Sequence, residues 1–491
     1  MQLCLINNSF RYEIEKLIRI FLPFEKIELS EMPVFADNSV ITEIAENTAK
    51  ATLYFCGKVY NSVKKIERIN QNADKDAELF LALAVYECFV SATNYEPDWG
   101  ILTGIRPAKL LSRLKKTMGD TNAENYFKNY LMVNQKKLNL TLEALKGEGK
   151  ITSLSKPDSF SLYISIPFCP TRCSYCSFVS HSVEHAEKLI PQYVEFLCKE
   201  LEITAKIAKE NNLRLETVYM GGGTPTTLSP LQLNTVLKTV EDNFDLSGLR
   251  EYTVEAGRPD TVTKEKLEVI KSFGVSRISI NPQTMNDEVL KTIGRKHTVK
   301  QTVEAFNLAR ECGFNNINTD LIAGLPNDTF ESFKNTVNEV ITLNPESVTV
   351  HSLSMKRSSG MTKLNQIPDI TVGKTASKMV DFAYNTLSQN GIRPYYMYRQ
   401  SKTVGNLENV GYSKKGYESL YNVFIMDETH TILACGASAV TKLRQPLGDY
   451  IERIFNYKYP YEYINKFDEI LNRKNGINEF YNKYLIPLFV P

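Results

Sequence analysis

Three thiols crowd one short stretch, Cys169-Pro-Thr-Arg-Cys173-Ser-Tyr-Cys176, separated by three and then two residues. Thiolates are soft ligands that suit iron-sulfur centres, and ferredoxin-type clusters take four of them. A compact set of three points to a cluster with one iron left for an exchangeable ligand, and that open iron is where chemistry would happen. Zinc is the competing metal, but zinc sites usually complete four ligands in paired spacings, and no second C-x-x-C or H-x-x-x-H lies nearby. His181 and His185 are candidate ligands by proximity alone.

A second chemistry-bearing stretch follows, Tyr219-Met-Gly221-Gly222-Gly223-Thr224-Pro225. Consecutive glycines let a ligand approach the backbone more closely than any Cβ permits, so a small zwitterion could lie there. Alone, the triplet also describes a tight strand-to-helix turn.

The elements that must position these stretches read as a β-α repeat. Short β-branched runs occur at Leu162 to Ile166, Thr217 to Met220, Tyr252 to Glu255, Arg277 to Ile280, Asn316 to Ile322 and Ser347 to His351, with helical patterns between them from Ile190 to Leu343. Such repetition implies an α/β fold, a parallel sheet or open barrel with helices outside and active residues at the C-terminal ends of the strands. Both the cysteine loop and the glycine loop would then face the same end. Residues 1–150 read as a separate N-terminal α/β domain, with a strand-like Ala51 to Phe55 and a helix from Asp74 to Thr93. The polar, glycine-containing stretch from Lys146 to Asp158 reads as its boundary. Residues 160–375 form the barrel, and 376–491 a C-terminal region that opens with a helix at Ser377 to Asn390.

Composition bounds the function class. Lys+Arg 58 against Asp+Glu 56 gives a net charge of +2, so no global electrostatic case exists for nucleic acid or an anionic membrane. The start lacks the basic region and apolar core of a signal peptide, and no run of about eighteen apolar residues appears, which reads as a cytoplasmic chain. Cys4, Cys56, Cys88, Cys198, Cys312 and Cys435 are scattered and read as small, mostly buried side chains in a reducing compartment.

C-x-x-x-C-x-x-C followed by G-G-G-T-P resembles the radical S-adenosylmethionine (SAM) superfamily, in particular its oxygen-independent coproporphyrinogen III oxidase branch in a variant with a long N-terminal extension. Tyr163-Ile-Ser-Ile-Pro-Phe-Cys169, Gly221 to Thr226, Asn281-Pro-Gln283, Arg295, Asp320-Leu-Ile-Ala-Gly324-Leu-Pro326 and Gly436-Ala-Ser-Ala fall in family order, over residues 160–445. The resemblance implies a partial parallel (β/α)6 barrel in which Cys169, Cys173 and Cys176 hold a [4Fe-4S] cluster and SAM takes the remaining iron. It implies further that Tyr163, Gly222, Glu255 and Val440 contact that SAM. Tyr175, Gly223, Thr224, Gln283, Arg295, Asp320 and Ser354 match positions near a second SAM.

The implied reaction is oxidative decarboxylation of two propionates of coproporphyrinogen III, or of a related tetrapyrrole, without oxygen. It would be fed by a reduced donor such as flavodoxin or ferredoxin. One departure stands out: Ser165 replaces the family's histidine two residues after the tyrosine, which leaves His297 and His351 as candidate substitutes. Two other classes compete. Relatives with the same cluster motif carry haem as chaperones, although their aromatic and histidine-containing stretch is not evident around Asn406 to Tyr412. A radical enzyme acting on RNA is suggested only by the additional domain and its basic set Arg106, Lys109, Arg113, Lys115 and Lys116, which reads more simply as a solvated helix face.

Overall fold

The computed structural model describes residues 1–70, 72–176, 181–182, 186–354 and 370–484. They divide into two compact units, one formed by the described residues within 1–142, 370–378 and 398–408, the other by those within 143–354, 379–397 and 409–484.

In the first unit, strands β1 (Gln2–Ile6), β2 (Glu28–Ser30), β3 (Ser39–Ala45), β4 (Thr48–Phe55) and β5 (Lys58–Lys65) form one sheet in the order β2-β1-β3-β4-β5. Helices Arg11–Phe21 and Ala73–Thr93 supply its apolar layer, with Phe21 stacked on Phe89 at 5.1 Å. Beyond the sheet, Trp99 Nε1 donates to Glu408 Oε2 at 2.7 Å, and Lys137 Nζ donates to Glu408 Oε1 at 2.7 Å in a pair whose side chains are each 2% exposed. The Arg399 guanidinium lies 5.1 Å from the Trp99 ring centroid. The basic set lies at the start of helix Pro107–Met118 and along it; this helix buries Ala108, Leu111 and Leu114, and Lys115 pairs outward with Glu124 and Asp120.

The second unit is built on an eleven-stranded sheet of β6 (Ser159–Ile166), β9 (Arg214–Gly222), β10 (Glu251–Glu255), β11 (Arg277–Ser279), β12 (Ile317–Ala323), β13 (Ser347–Ser352) and β14 to β18, ordered β14-β15-β13-β12-β11-β10-β9-β6-β16-β17-β18. Two-residue strands β7 (Phe168–Cys169) and β8 (His181–Ser182) pair separately. The six expected strands run parallel as read, and β16 (Thr431–Cys435) adds a seventh parallel strand against β6, Leu433 opposite Leu162. β17 (Val440–Arg444) and β18 (Ile451–Phe455) continue antiparallel from it, while β14 (Arg393–Arg399) and β15 (Glu408–Ser413) extend the opposite edge.

Local chemistry explains the helices. Ser229 and Thr298 form capping boxes with Gln232 and Gln301, and Asn286, Thr263 and Thr329 accept from backbone amides two or three residues on. Along the parallel strands side chains alternate by two. Leu162, Ile164, Ile166, Val218, Met220, Val254, Ile278 and Ile280 join the apolar core, each contributing roughly 1.5–3 kcal/mol. Their neighbours Tyr163, Ser165, Tyr219, Thr253, Glu255 and Ser279 face the other way, so this side of the sheet is polar.

Two local readings need correction. Lys146 to Thr152 is not a boundary loop but the end of helix Gln135–Thr152. A Cβ on Gly147 would stand 2.6 Å from Tyr395 Cα, so this glycine serves close packing instead of a chain break. Cys56, expected among apolar neighbours, is exposed in the β4–β5 turn with φ of 52°.

Candidate functional site

The strand that ends at Ile166 delivers the cysteine loop to the C-terminal edge of the sheet. Two neighbours hold it there. Gly223 N donates to Ile166 O and Thr224 N to Phe168 O, both at 2.8 Å, and Ser174 N donates to Ile293 O at 3.0 Å. A Cβ on Gly223 would lie 2.6 Å from Phe168 O and 2.9 Å from Ile166 O, so only glycine lets the two loops lie this close. Gly222 carries a φ of 108°, which a side chain would strain.

Cys173 is buried, and Cys169 and Cys176 are half-buried. Cys169 Sγ stands 3.4 Å from Thr224 Oγ1. Among the described residues no three His, Cys, Asp or Glu side chains are drawn together closely enough to cage an ion by themselves. The donor set still fits an iron-sulfur group in kind. The three thiols share one eight-residue loop, and two buried arginines stand beside it, whose positive charge suits thiolate ligands. Arg258 Nη1 is 3.8 Å from Cys173 Sγ, and Arg295 Nε is 3.3 Å from the Tyr175 hydroxyl. Arg295 Nη1 donates to Asn281 O at 2.7 Å and to Gly257 O at 3.3 Å, so much of the fork expected for a ligand carboxylate ties three loops together. His185 lies outside the described residues, and His181 is described only by its backbone.

Across the sheet edge from the cysteines, the polar residues converge. Tyr219 Oη donates to Glu255 Oε1 at 2.5 Å. Tyr163, Tyr219 and Tyr421 stack nearly parallel, with Tyr219 and Tyr421 at 4.4 Å and Tyr163 at 6.3 and 6.2 Å from them. Burial, together with the negative charge of Asp320, pushes the Glu255 carboxyl up to about 7, against partial relief from the Tyr219 hydroxyl and Arg277. Burial also presses on Asp320, yet the hydrogen bond and charge of His351 and the Asn318 amide hold it below the usual carboxylate range. His351 Nε2 lies 3.7 Å from Asp320 Oδ2. Tyr163, Tyr219, Glu255, Asp320 and His351 keep partial solvent access while the strand positions beside them are buried, so they line an opening.

Gln283 sits under the same edge in a left-handed conformation, φ 69°, its amide donating to Asp320 O at 2.9 Å. Strain of this kind in a non-glycine residue recurs at ligand sites. Ser354 follows β13, half-buried, as the last described residue before 355–369, and Val440 opens β17 just past Gly436. Ser165 donates to Ala437 O at 2.8 Å, tying β6 to the loop after β16. Of the two candidate histidines, His351 reaches the opening. His297 does not: it is 2% exposed and held neutral, its pKa lowered to about 3 by burial and by the charges of Arg295 and Arg258.

Tyr219, Tyr421 and Arg258 carry contacts that spacing alone does not announce. A signal existed for two of them. Tyr219 is two residues before the glycine triplet and so shares its face, and Arg258 follows a strand's C-terminal end.

Residues 163–340 match the model of the Radical SAM superfamily. The chain is 39% identical over 386 residues to the oxygen-independent coproporphyrinogen-III oxidase-like protein HemZ of Bacillus subtilis, spanning 78% of this chain and 77% of that one. It is 31% identical over 313 residues to the heme chaperone HemW of the same organism, 61% of this chain and 77% of that one. The solved structure of coproporphyrinogen III oxidase (HemN) from Escherichia coli shares the fold, with a TM-score of 0.51 and 24% identity over 65% of this chain and 71% of that one. The chain belongs to the radical SAM superfamily, among its oxygen-independent coproporphyrinogen-III oxidase-like members.

Proposed function

We propose that the protein is a radical SAM oxidoreductase that converts coproporphyrinogen III to protoporphyrinogen IX without oxygen, taking electrons from a reduced flavodoxin- or ferredoxin-type donor. The observation that carries this reading is the meeting of the cysteine loop, the glycine loop and the Glu255–Asp320–His351 opening at one sheet edge, in a chain 39% identical to an oxidase-like relative.

Cys169, Cys173 and Cys176 would hold a [4Fe-4S] cluster, with Tyr163, Gly222, Glu255 and Val440 around SAM. Gly223, Thr224, Tyr175, Gln283, Arg295, Asp320 and Ser354 would shape the adjoining space, where a second SAM or the substrate lies. Bound there, cluster and SAM would supply the one-electron radical chemistry that takes hydrogen from the substrate. The remaining work falls to the chain. Ionised Glu255 accepts hydrogen bonds from the ligand's hydroxyl or amino groups, and Tyr219 orients it. His351, braced by Asp320, would meet a propionate in the role left open by Ser165. The Tyr163 and Tyr219 rings, backed by the buried Tyr421, give the opening an aromatic wall beside Glu255. Each propionate then loses carbon dioxide as a vinyl group forms, with one electron passing to an acceptor.

The test is product analysis under strict anaerobiosis with SAM, reductant and coproporphyrinogen III, using Cys173→Ala as the cluster-deficient control. Vinyl product from the wild type and none from the variant is expected. SAM cleavage without vinyl product would overturn the substrate assignment. Similarity to the heme chaperone supports a second reading, haem carriage. Tight stoichiometric haem binding without porphyrinogen turnover would select it.

A further inference from the structure

Arg258 is 3% exposed and fully engaged on one side. Asp260 grips it bidentately, Nε to Oδ1 at 3.0 Å and Nη2 to Oδ2 at 2.9 Å. The rest of the guanidinium points at the cysteine loop. Nη1 donates to Thr171 O at 3.3 Å and to Thr171 Oγ1 at 3.2 Å, Nη2 reaches Thr171 Oγ1 at 3.3 Å, and Nη1 lies 3.8 Å from Cys173 Sγ. A planar fork pinned by a carboxylate is a cation with a set direction, and that direction here is a cluster-ligand sulfur.

We propose that Arg258 is a positioning and tuning residue for the cluster. Its guanidinium fixes the loop between Cys169 and Cys173, and its charge at the Cys173 sulfur favours the reduced state of the group held there. This rests on the cluster reading above. The physical reason is that hydrogen bonds and charge at cluster sulfurs set the reduction potential. Uptake of one electron from the reduced donor adds one negative charge to the site, and a fixed cation beside it favours that state. Replacing Arg258 by a neutral side chain removes the cation and leaves the Asp260 carboxylate unmatched, and both changes act in the same direction.

The experiment compares wild type, Arg258→Met and Arg258→Lys after anaerobic reconstitution. It measures iron per chain and then the midpoint potential by electron paramagnetic resonance during a reductive titration. Arg258→Met is expected to retain iron and to titrate at a more negative potential than wild type, with Arg258→Lys between them because it keeps the charge and loses the fork. A midpoint for Arg258→Met equal to or above wild type overturns the inference. Should Arg258→Met fail to retain iron, Arg258→Lys decides: a more negative midpoint supports the role and an unchanged one sinks it. An unchanged midpoint with SAM cleavage intact removes only this inference, whereas a wild type that takes up no cluster removes the functional reading itself.

Discussion

Glu255 and Tyr219 stand 2.5 Å apart on neighbouring parallel strands, a phenol hydroxyl donating to a carboxylate that burial has made hard to ionise. The two effects oppose each other, and burial prevails: the carboxyl moves from 4.5 up to about 7. Between those values the folded chain holds more protons than the unfolded one. Its contribution to stability is therefore present at low pH and lost as pH rises through about 7. Glu255→Gln should stabilise the ligand-free protein at pH 8 by about 2 kcal/mol, with no gain near pH 4. Denaturation by urea at both pH values checks this, and an equal effect at each would refute the burial argument.

Tyr219→Phe removes a donor that favours the ionised carboxylate, so Glu255 should titrate still higher. Affinity for SAM, which on the proposed function needs ionised Glu255, should then fall by about tenfold near neutral pH and recover as pH rises. Calorimetric titration across pH 6.5 to 9 separates this from a merely structural loss, which would not recover.

Gly223→Ala places a methyl group 2.6 Å from Phe168 O, a backbone atom that cannot swing aside. A cost of about 1–3 kcal/mol is expected, with reduced iron uptake because the cysteine loop must move. Gly149→Ala is the control. That glycine is helical and meets nothing within 4 Å, so alanine there should stabilise by up to about 1 kcal/mol.

Lys137→Met takes the paired ammonium away from the buried Glu408 carboxylate, which keeps the Trp99 Nε1 hydrogen bond and the charge of Arg399. Breaking one side of such a pair should cost about 3–5 kcal/mol, and replacing both partners by apolar residues should recover much of that. Chemical denaturation of the single and double variants measures the difference, and a single variant within about 1 kcal/mol of wild type would contradict it.

Much of the fold was legible because its signals are local. Ser229, Thr263, Thr298 and Thr329 announce helix starts through side-chain oxygens that accept from the amide three residues on, and each of these helices begins where its cap stands. The alternation in Leu162 to Ile166 marks a strand wherever that strand goes. Lys146 to Gly149 misled for the same local reason: glycines next to lysines read as a break, while the contact that needs Gly147 comes from Tyr395, far along the chain.

By itself, the order of residues determined that three thiols lie within one loop at the end of a β-branched run, with a glycine triplet one strand later. Those facts depend only on spacing and on the direction of a β-α repeat. Tertiary structure decided which side chains meet there. The pairing of Thr431–Cys435 with Ser159–Ile166, the stack of Tyr421 on Tyr219, the approach of His351 to Asp320 and the aim of Arg258 at Cys173 join residues tens to hundreds of positions apart. No local period encodes such contacts. They arise because parallel pairing brings the C-terminal ends of successive strands, and the loops that follow them, to one edge of the sheet.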